Sequence, residues 1–570
     1  MRPNTAPFAS CVILLGGIAT IAFSAYLVVV SYSSLPYWDG WGQIDFGAQG
    51  RAQSTLTWLW TLHSEHRLVI PRLFLLADLR WFHATQVFLL ASIFVIQLLH
   101  LALLGWSMRV FGGWRGSLWR TGVGLTAFCL FCPSQWENFT WGFQTCFVLP
   151  GFFATLSWIG LLLYWLRSGE ELGRYSSWKY LVLSIGAALG ATYSLSNGNL
   201  LWPLLVAAAL LLRLRLAAVL SLLIAGILST ALYLNNYFGP AAPPSSAETL
   251  VQSLKYLLAY FGSSWVGSNI PVAEVIGVAG LAAFLVSLLR LLSYIRSRRP
   301  FSIQLVLTLL FCVGTGMVTA MGRSGFGVSQ AFSSRYQTVS LLFWCCLGLL
   351  VLGAASALHR WSSVAVPLAQ VLLLAIMLVG AKRAEIPLIR ARVRSFKLNT
   401  AAMSLVTQVP DTEQLQWADS HPDYVLSLTP YMRQERLSVF SEPESWVLGE
   451  PLDSAFRLAV PNECAGALES NVAMGGAASG QAPLRITGWA WDLKHRRPPA
   501  SIVAVTGGVI TGLGAMGDWR PLDQVTRPGV TTNYIGYTGY VQGGRAPGPV
   551  EIYAILPGKP ASACLIATVK

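Results

Sequence analysis

Residues 11–41 read CVILLGGIATIAFSAYLVVVSYSSLPYWDGW. Up to Val30 the run is apolar and uncharged, and a helix needs about 20 such residues to cross a bilayer. A secretory signal peptide is the competing reading, but its apolar core spans only about 7–15 residues before a small-residue cleavage site. The run is therefore taken as a true first span. Tyr37-Trp38-Asp39-Gly40-Trp41 follows just outside it, an Asp flanked by aromatics at the membrane–water boundary.

The rest of the chain has the same character. Its 570 residues are 54% hydrophobic and 11% charged, with a mean hydropathy of +0.55, whereas soluble chains carry about 25% charged residues. The expected fold class is a polytopic α-helical membrane protein, not a soluble protein with one anchor. The 22 Trp and 19 Tyr suit two aromatic interface belts. The net charge of +14 is not a nucleic-acid footprint, because much of it falls in short loops between apolar runs, where it sets topology.

About eleven spans are expected, at 11–31, 84–106, 121–133, 143–166, 180–195, 200–214, 216–235, 271–293, 303–321, 338–358 and 363–381. Several are shorter than a full span and either extend into polar neighbours or break near a cavity. One set of loops holds Arg109, Arg115 and Arg120; Arg167, Arg174 and Lys179; Arg213 and Arg215; Arg296, Arg298 and Arg299; and Arg360. By the positive-inside rule these loops are cytoplasmic, together with the N-terminus and Arg2. The other set, 32–83, 134–142, 196–199, 236–270 and 322–337, is then extracytoplasmic. The odd number of spans sends the C-terminal region outside as well. The basic run Lys382, Arg383, Arg390, Arg392, Arg394 and Lys397 argues the other way, but long domains translocate largely regardless of charge.

Three domains are expected: a transmembrane domain over 1–381, a helical and irregular extracytoplasmic connector over 382–458, and a small extracytoplasmic β-sandwich over 459–570. Two interfacial helices are expected, at 71–82 and from Glu248 to Phe261, the latter after the turn-forming Pro240-Ala241-Ala242-Pro243-Pro244. Asp411 and Asp419 stand near helix starts. Short β runs such as Ile502-Val503-Ala504-Val505-Thr506, punctuated by Gly507-Gly508, mark the C-terminal part. Of nine cysteines, seven lie in or beside apolar runs and read as small hydrophobes. Cys464 and Cys564 stand near the first and last strands and form a disulfide if those strands are adjacent and the compartment is oxidising; two buried thiols are the alternative.

The conspicuous polar residues fall on the outer face. The cytoplasmic loops carry Arg, Lys, Gly and Ser, with Glu170 and Glu171 the main acids. A transport path would place polar groups through the midplane, so the asymmetry favours a site at the outer interface. Asp39 is the leading general base, since a carboxylate held among aromatics at low dielectric can be tuned for proton transfer from an acceptor hydroxyl. The bland alternative is an Asp that caps an interfacial helix. In His63-Ser64-Glu65-His66-Arg67 the histidines stand at i, i+3 rather than the i, i+4 of zinc proteases, so no metal is favoured. Glu65, His63 and His66 are expected to contact a sugar or orient Asp39, and Arg67 to meet phosphate or pair with Glu65. Arg323 and Arg335 flank Gly322-x-x-Gly325-x-Gly327, and guanidinium suits bidentate recognition of a lipid-linked phosphate. Trp136, Glu137, Asn138, Gln144, Asn197, Tyr336 and Asp45 complete the sugar- and acceptor-binding candidates.

An Asp in the first outer loop, about eleven spans and a C-terminal outer domain together resemble the GT-C superfamily of integral-membrane glycosyltransferases. The specific phrases are Trp-Asp-Gly-Trp, His-Ser-Glu-His-Arg, Gln-Trp-Glu-Asn-Phe-Thr-Trp-Gly-Phe-Gln and Gly-Arg-Ser-Gly-Phe-Gly with Ser-Arg-Tyr, which look like a bacterial branch. The resemblance implies a polyprenyl-phosphate sugar donor, a cell-envelope glycan, lipid or protein acceptor, and an inverting displacement with Asp39 as base and Arg335, Arg323 or Arg67 on the phosphate. The expected location is a bacterial inner membrane, and no cofactor is expected, a divalent metal being the less favoured alternative. The chain departs from the protein mannosyltransferase pattern, because Gly40 rather than Glu follows Asp39, and it has no Asp-x-Asp metal motif; Asp45 or Glu65 could replace Asp39. In the C-terminal domain Trp489, Trp491 and Trp519 are possible stacking platforms for glycan. A flippase of lipid-linked glycans and a polysaccharide ligase or polymerase are the alternatives.

Overall fold

The computed structural model describes residues 7–50, 54–168, 177–237, 247–358, 361–460, 462–475, 482–524, 529–544 and 548–569. Arg2, Glu170, Glu171, Arg174, the Pro240–Pro244 segment and Arg360 lie outside them. The chain divides into two compact units: Met1–Val29, Ser54–Phe74 and Leu89–Leu388 form one, and Val30–Gln53, Leu75–Phe88 and Ile389–Lys570 form the other. The segment that carries Asp39 therefore belongs with the C-terminal residues, and the segment that carries Glu65 belongs with the helical bundle. A sequence division at 381 and 458 could not show this, because the second unit is assembled from three separate stretches of chain.

Each of the eleven apolar runs falls on a helix. Eight helical stretches among the described residues are long and apolar enough to cross a membrane, which makes this a multi-pass membrane protein. The other three are Gly116–Leu130, Trp178–Thr192 and Leu201–Leu211, of 15, 15 and 11 residues, short of the roughly 20 a span needs. Gly116–Leu130 gives way to the tight turn Pro133–Gln135, and Ser196–Leu200 separates the other two. Helical hydrogen bonding thus stops at the polar loops that hold the candidate residues. Helices also meet at glycines: a Cβ on Gly124 would lie 2.6 Å from the Ile13 carbonyl oxygen, so only glycine allows the first helix to approach that closely. The helix interiors are less uniformly apolar than expected. Gln97, His100, Gln304 and Gln370 are buried in them. Among the described residues the buried charged side chains are Arg67, Arg72, Asp78, Arg394, Asp411 and Asp492, and before Arg383 none lies in a candidate span.

In the second unit the strands are β1 (Arg457–Leu458), β2 (Cys464–Ala473), β3 (Leu484–Asp492), β4 (Ser501–Thr506), β5 (Val509–Asp518), β6 (Gly536–Val541), β7 (Val550–Leu556) and β8 (Ser562–Val569). They form one eight-stranded sheet, ordered β1-β8-β7-β4-β5-β6-β3-β2, and not the expected two-sheet sandwich. The sheet curls until β2 meets β8: Cys464 and Cys564 are disulfide-bonded, with Cα atoms 6.3 Å apart. β4 explains why one sheet suffices. Ile502, Val503, Ala504 and Val505 are all buried, as expected of a strand covered on both faces. Ile502 and Ala504 pack inside the curl with Tyr537 and Ile552. Val503 and Val505 pack on Leu398, Leu405 and Leu428 of the connector helices Glu385–Val406 and Pro422–Gln434. Gly507 and Gly508, at φ 59° and 80°, make the β4–β5 hairpin turn that only such residues adopt without strain. Asp411 caps the helix Thr412–Leu415 as expected. It also accepts hydrogen bonds from Arg485 at 3.1 Å and Tyr540 at 2.8 Å, fastening connector to sheet.

Candidate functional site

In the helical unit the site is built where the helix Pro300–Arg323 ends and the helix Gln337–Ala357 begins. Three tight turns join them, with Gly327 at φ 91° reversing the chain. Tyr256, on the helix Ala247–Gly262, which is not among the candidate spans, is within electrostatic reach of both Arg323 and Arg335. Burial pushes the Tyr256 phenol well up and the neighbouring Tyr336 hydroxyl adds to this, while the Arg323 and Arg335 guanidinium groups pull it down. Tyr256 also approaches the Gln330 amide oxygen at 3.5 Å. Sequence reading missed Tyr256, because a tyrosine on an amphipathic helix carries no signal of what it faces.

The segment Gln135–Asn138 holds Arg335 in place. The Asn138 side-chain amide donates to the Arg335 carbonyl at 3.0 Å and to Thr338 Oγ1 at 2.7 Å. Thr338 in turn donates to the Gln135 amide oxygen at 2.6 Å, and Ser334 donates to Glu137 Oε2 at 2.5 Å. The Asn138 amide nitrogen is thus engaged in fixing backbone, while its Oδ1 is buried with no hydrogen-bond partner. Tyr336 is buried, its ring 5.5 Å from the Arg335 guanidinium carbon and 6.1 Å from Phe147. Arg335 itself keeps a buried Nε with no hydrogen-bond partner. A buried donor without an acceptor costs about 1–3 kcal/mol, and an anion at this position would satisfy it.

Arg323 pairs with Glu65 at 2.7 Å, and His66 Nε2 lies 3.6 Å from the same carboxylate. The Arg323 and Glu65 side chains are 35% and 25% exposed, so the pair contributes only about 0–1 kcal/mol and Arg323 can exchange Glu65 for a ligand. Glu65 sits in a tight turn in which His63 and His66 exchange backbone hydrogen bonds of 2.8 and 2.9 Å. The His63 ring packs 5.1 Å from Phe143. Gln144, next to it, is buried with neither amide atom partnered, and the Asn197 amide oxygen is likewise buried and unpartnered. Trp136 is half-buried beside Glu137. Among the described residues no group of three His, Cys, Asp or Glu side chains is placed to hold a metal ion.

Arg67 leaves the expected phosphate-binding set. It is buried, and its guanidinium donates to the carbonyls of Tyr233 (2.6 Å), Trp60 (2.5 Å) and Asn235. The helix Leu216–Leu234 ends there, and its last carbonyls have no intrahelical donor. Arg67 supplies one.

In the second unit Asp39 lies in the tight turn Trp38–Trp41 and is half-buried. It is not a helix cap, since the capping positions of this turn and of the next helix, Gly42–Gln49, are Tyr37 and Trp41. The turn is pinned from both sides. The Trp38 amide, at φ 45°, and the Trp41 indole both donate to the Ala418 carbonyl, at 2.7 and 3.2 Å. The Arg394 guanidinium lies 4.9 Å from the Tyr37 ring. Asp45 accepts from Gln49 on the exposed part of the following helix. Of the expected stacking residues in the sheet, Trp519 is exposed, but Trp491 is fully buried and is core.

On the helix that follows the Asp39 turn, Gln43 donates to Asp78 at 3.2 Å. Asp78 is fully buried on the helix Val69–Trp81, and burial raises its pKa to about 7 against the two hydrogen bonds from Gln43 and Gln86. The unfolded chain releases this proton near pH 3.8, while the folded chain keeps it until about 7. Folding therefore loses stability as pH rises between these values and levels off above them. Asp78→Asn is expected to stabilise the protein by on the order of 2–4 kcal/mol at pH 8 and to have little effect at pH 4. Thermal unfolding of both proteins across that range measures it; equal melting shifts at the two pH values would contradict it.

No family model matches the chain, and no curated protein matches it. Among solved structures it is similar to the oligosaccharyltransferase AglB from Archaeoglobus fulgidus, determined in complex with an inhibitory peptide and a dolichol-phosphate. The identity is 13% and the TM-score 0.37, over 72% of this chain and 60% of that one. This chain thus spans less than two thirds of that protein, and a likeness this loose transfers neither fold nor activity.

Proposed function

We propose that the chain is an integral-membrane glycosyltransferase that moves a sugar from a polyprenyl-phosphate carrier to a cell-envelope acceptor outside a bacterial inner membrane. The observation that carries this is Arg335, which keeps a buried, unpartnered Nε on the tight turns that follow Arg323 at the end of its helix. Guanidinium groups arranged in this way suit a phosphate ester. The buried amides of Gln144 and Asn197, with unpartnered atoms, suit sugar hydroxyls. The loop phrases that resemble the GT-C superfamily support the same chemistry.

In the proposed reaction the acceptor hydroxyl attacks the anomeric carbon. The bond from that carbon to the phosphate oxygen breaks, and polyprenyl phosphate leaves with its electron pair. Arg335 and Arg323 stabilise the charge that develops on the leaving phosphate, so no acid is needed there. The hydroxyl proton goes to a carboxylate. Asp39 is the proposed base on the chemistry of its aromatic surroundings, with Glu65 and Asp45 as substitutes.

The test is to purify the full chain and assay it with a panel of polyprenyl-phosphate sugars and cell-envelope acceptors. Transfer from one donor with release of polyprenyl phosphate is expected. Transfer from none of them, with translocation of lipid-linked glycan in vesicles, would replace the proposal with a flippase.

A further inference from the structure

A second feature of the helical unit has no part in that chemistry. A cleft of about 890 Å³ opens at the other end of the same helices, between the start of the helix Pro300–Arg323 and the end of the helix Gln337–Ala357. This is within the roughly 300–1,000 Å³ of small-molecule sites. Its wall is apolar, with Leu305, Leu349, Leu350, Ala365, Leu368 and Leu372 along it. Its rim is cationic: Arg290, Arg298 and Arg299 line it and are exposed. No Asp or Glu is among the residues that line it, and among the described residues none pairs with these arginines. The Arg298 guanidinium rests 5.3 Å from the Trp165 ring, which holds it at the rim. Ser302, in the first turn of the helix that starts at Pro300, also lines the cleft, and the free amides of such a turn favour an anion.

We propose that this cleft binds one anionic bilayer phospholipid, with its phosphate on Arg290, Arg298 and Arg299 and an acyl chain along the leucine and alanine wall. Charge complementarity selects the headgroup: three guanidinium groups with no carboxylate among the lining residues favour an acidic lipid over a zwitterionic one. The apolar wall, set in helices that cross the membrane, selects a lipid over free phosphate. The position keeps this site apart from the Arg323–Arg335 pair. The 24 residues from Pro300 to Arg323 rise about 36 Å, roughly the thickness of the hydrocarbon core. It lies on the side of the basic loops, where acidic lipids meet basic pockets between helices. The inference does not depend on glycosyl transfer.

The test is native mass spectrometry of the purified full chain titrated with phosphatidylglycerol and with phosphatidylcholine. Phosphatidylglycerol is expected to be retained at least about tenfold better. Two variants should each lose that preference: the triple change Arg290→Gln, Arg298→Gln and Arg299→Gln, and Ala369→Trp, which fills the trough and leaves every arginine in place. Equal retention of the two lipids by the wild type would overturn the proposal. So would undiminished preference in Ala369→Trp, which would mean surface charge alone, and displacement of phosphatidylglycerol by lower concentrations of undecaprenyl phosphate, which would make this a carrier site.

Discussion

Arg335→Gln is expected to lower kcat/KM for sugar transfer about 10³-fold, or roughly 4 kcal/mol of transition-state stabilisation. The glutamine keeps a polar side chain but removes the charge and the fork of donors. Arg335 is the stronger of the two arginines for a physical reason. Arg323 already has Glu65 at 2.7 Å and must exchange it for the ligand, whereas the buried Arg335 Nε has no partner to give up. Arg323→Gln should therefore cost less. Arg335→Lys should recover only part of the loss, because an ammonium keeps the charge without bidentate geometry. Steady-state kinetics of the four proteins with one donor gives the order wild type, Arg323→Gln, Arg335→Lys, Arg335→Gln. An unchanged kcat/KM in Arg335→Gln would remove the phosphate role.

Asp39→Asn is expected to lower kcat by about 10²- to 10⁴-fold, the usual contribution of a positioned general base, with little change in KM. Asparagine conserves the volume and one carbonyl oxygen. It should leave the turn intact, since the turn is held through the Trp38 amide and Trp41 indole on Ala418 rather than through a capping Asp39. A kcat within threefold of wild type would move the base to Glu65 or Asp45, which Glu65→Gln and Asp45→Asn would then separate. Glu65→Gln has a second effect to watch, because it frees Arg323 and so changes KM for the donor as well.

Much of the helical unit was legible from hydropathy because a span is local: a long uncharged run near Cys11 or Val339 becomes a helix whatever it packs against. The sheet was misread for a local reason as well. Ile502-Val503-Ala504-Val505 was taken for a strand of a sandwich, yet the second face of that strand is covered by the connector helices. Partners distant in sequence were not legible. Nothing near Arg67 announces that the carbonyls ending the Leu216–Leu234 helix will take its guanidinium, so the sequence points instead to phosphate or to a pair with Glu65. Tyr256 was missed because Arg323 and Arg335 are more than sixty residues away in sequence. Arg323, Arg335 and Glu137 stand out in the sequence because a charged residue at the end of an apolar run needs a reason. What Arg335 is held by, the Asn138 amide on its carbonyl, was not legible.

The central claim is that Arg335 and Arg323 hold the phosphate of a polyprenyl-linked sugar. The most direct measurement is a single-turnover assay of purified protein with a polyprenyl-phosphate sugar labelled in both sugar and lipid, run side by side with Arg335→Gln. Wild type should release one polyprenyl phosphate for each sugar transferred, and the variant should slow both products together by about 10³-fold. Release of lipid at the same rate in both proteins, or a donor left intact by the wild type while its acceptor is consumed, would contradict it.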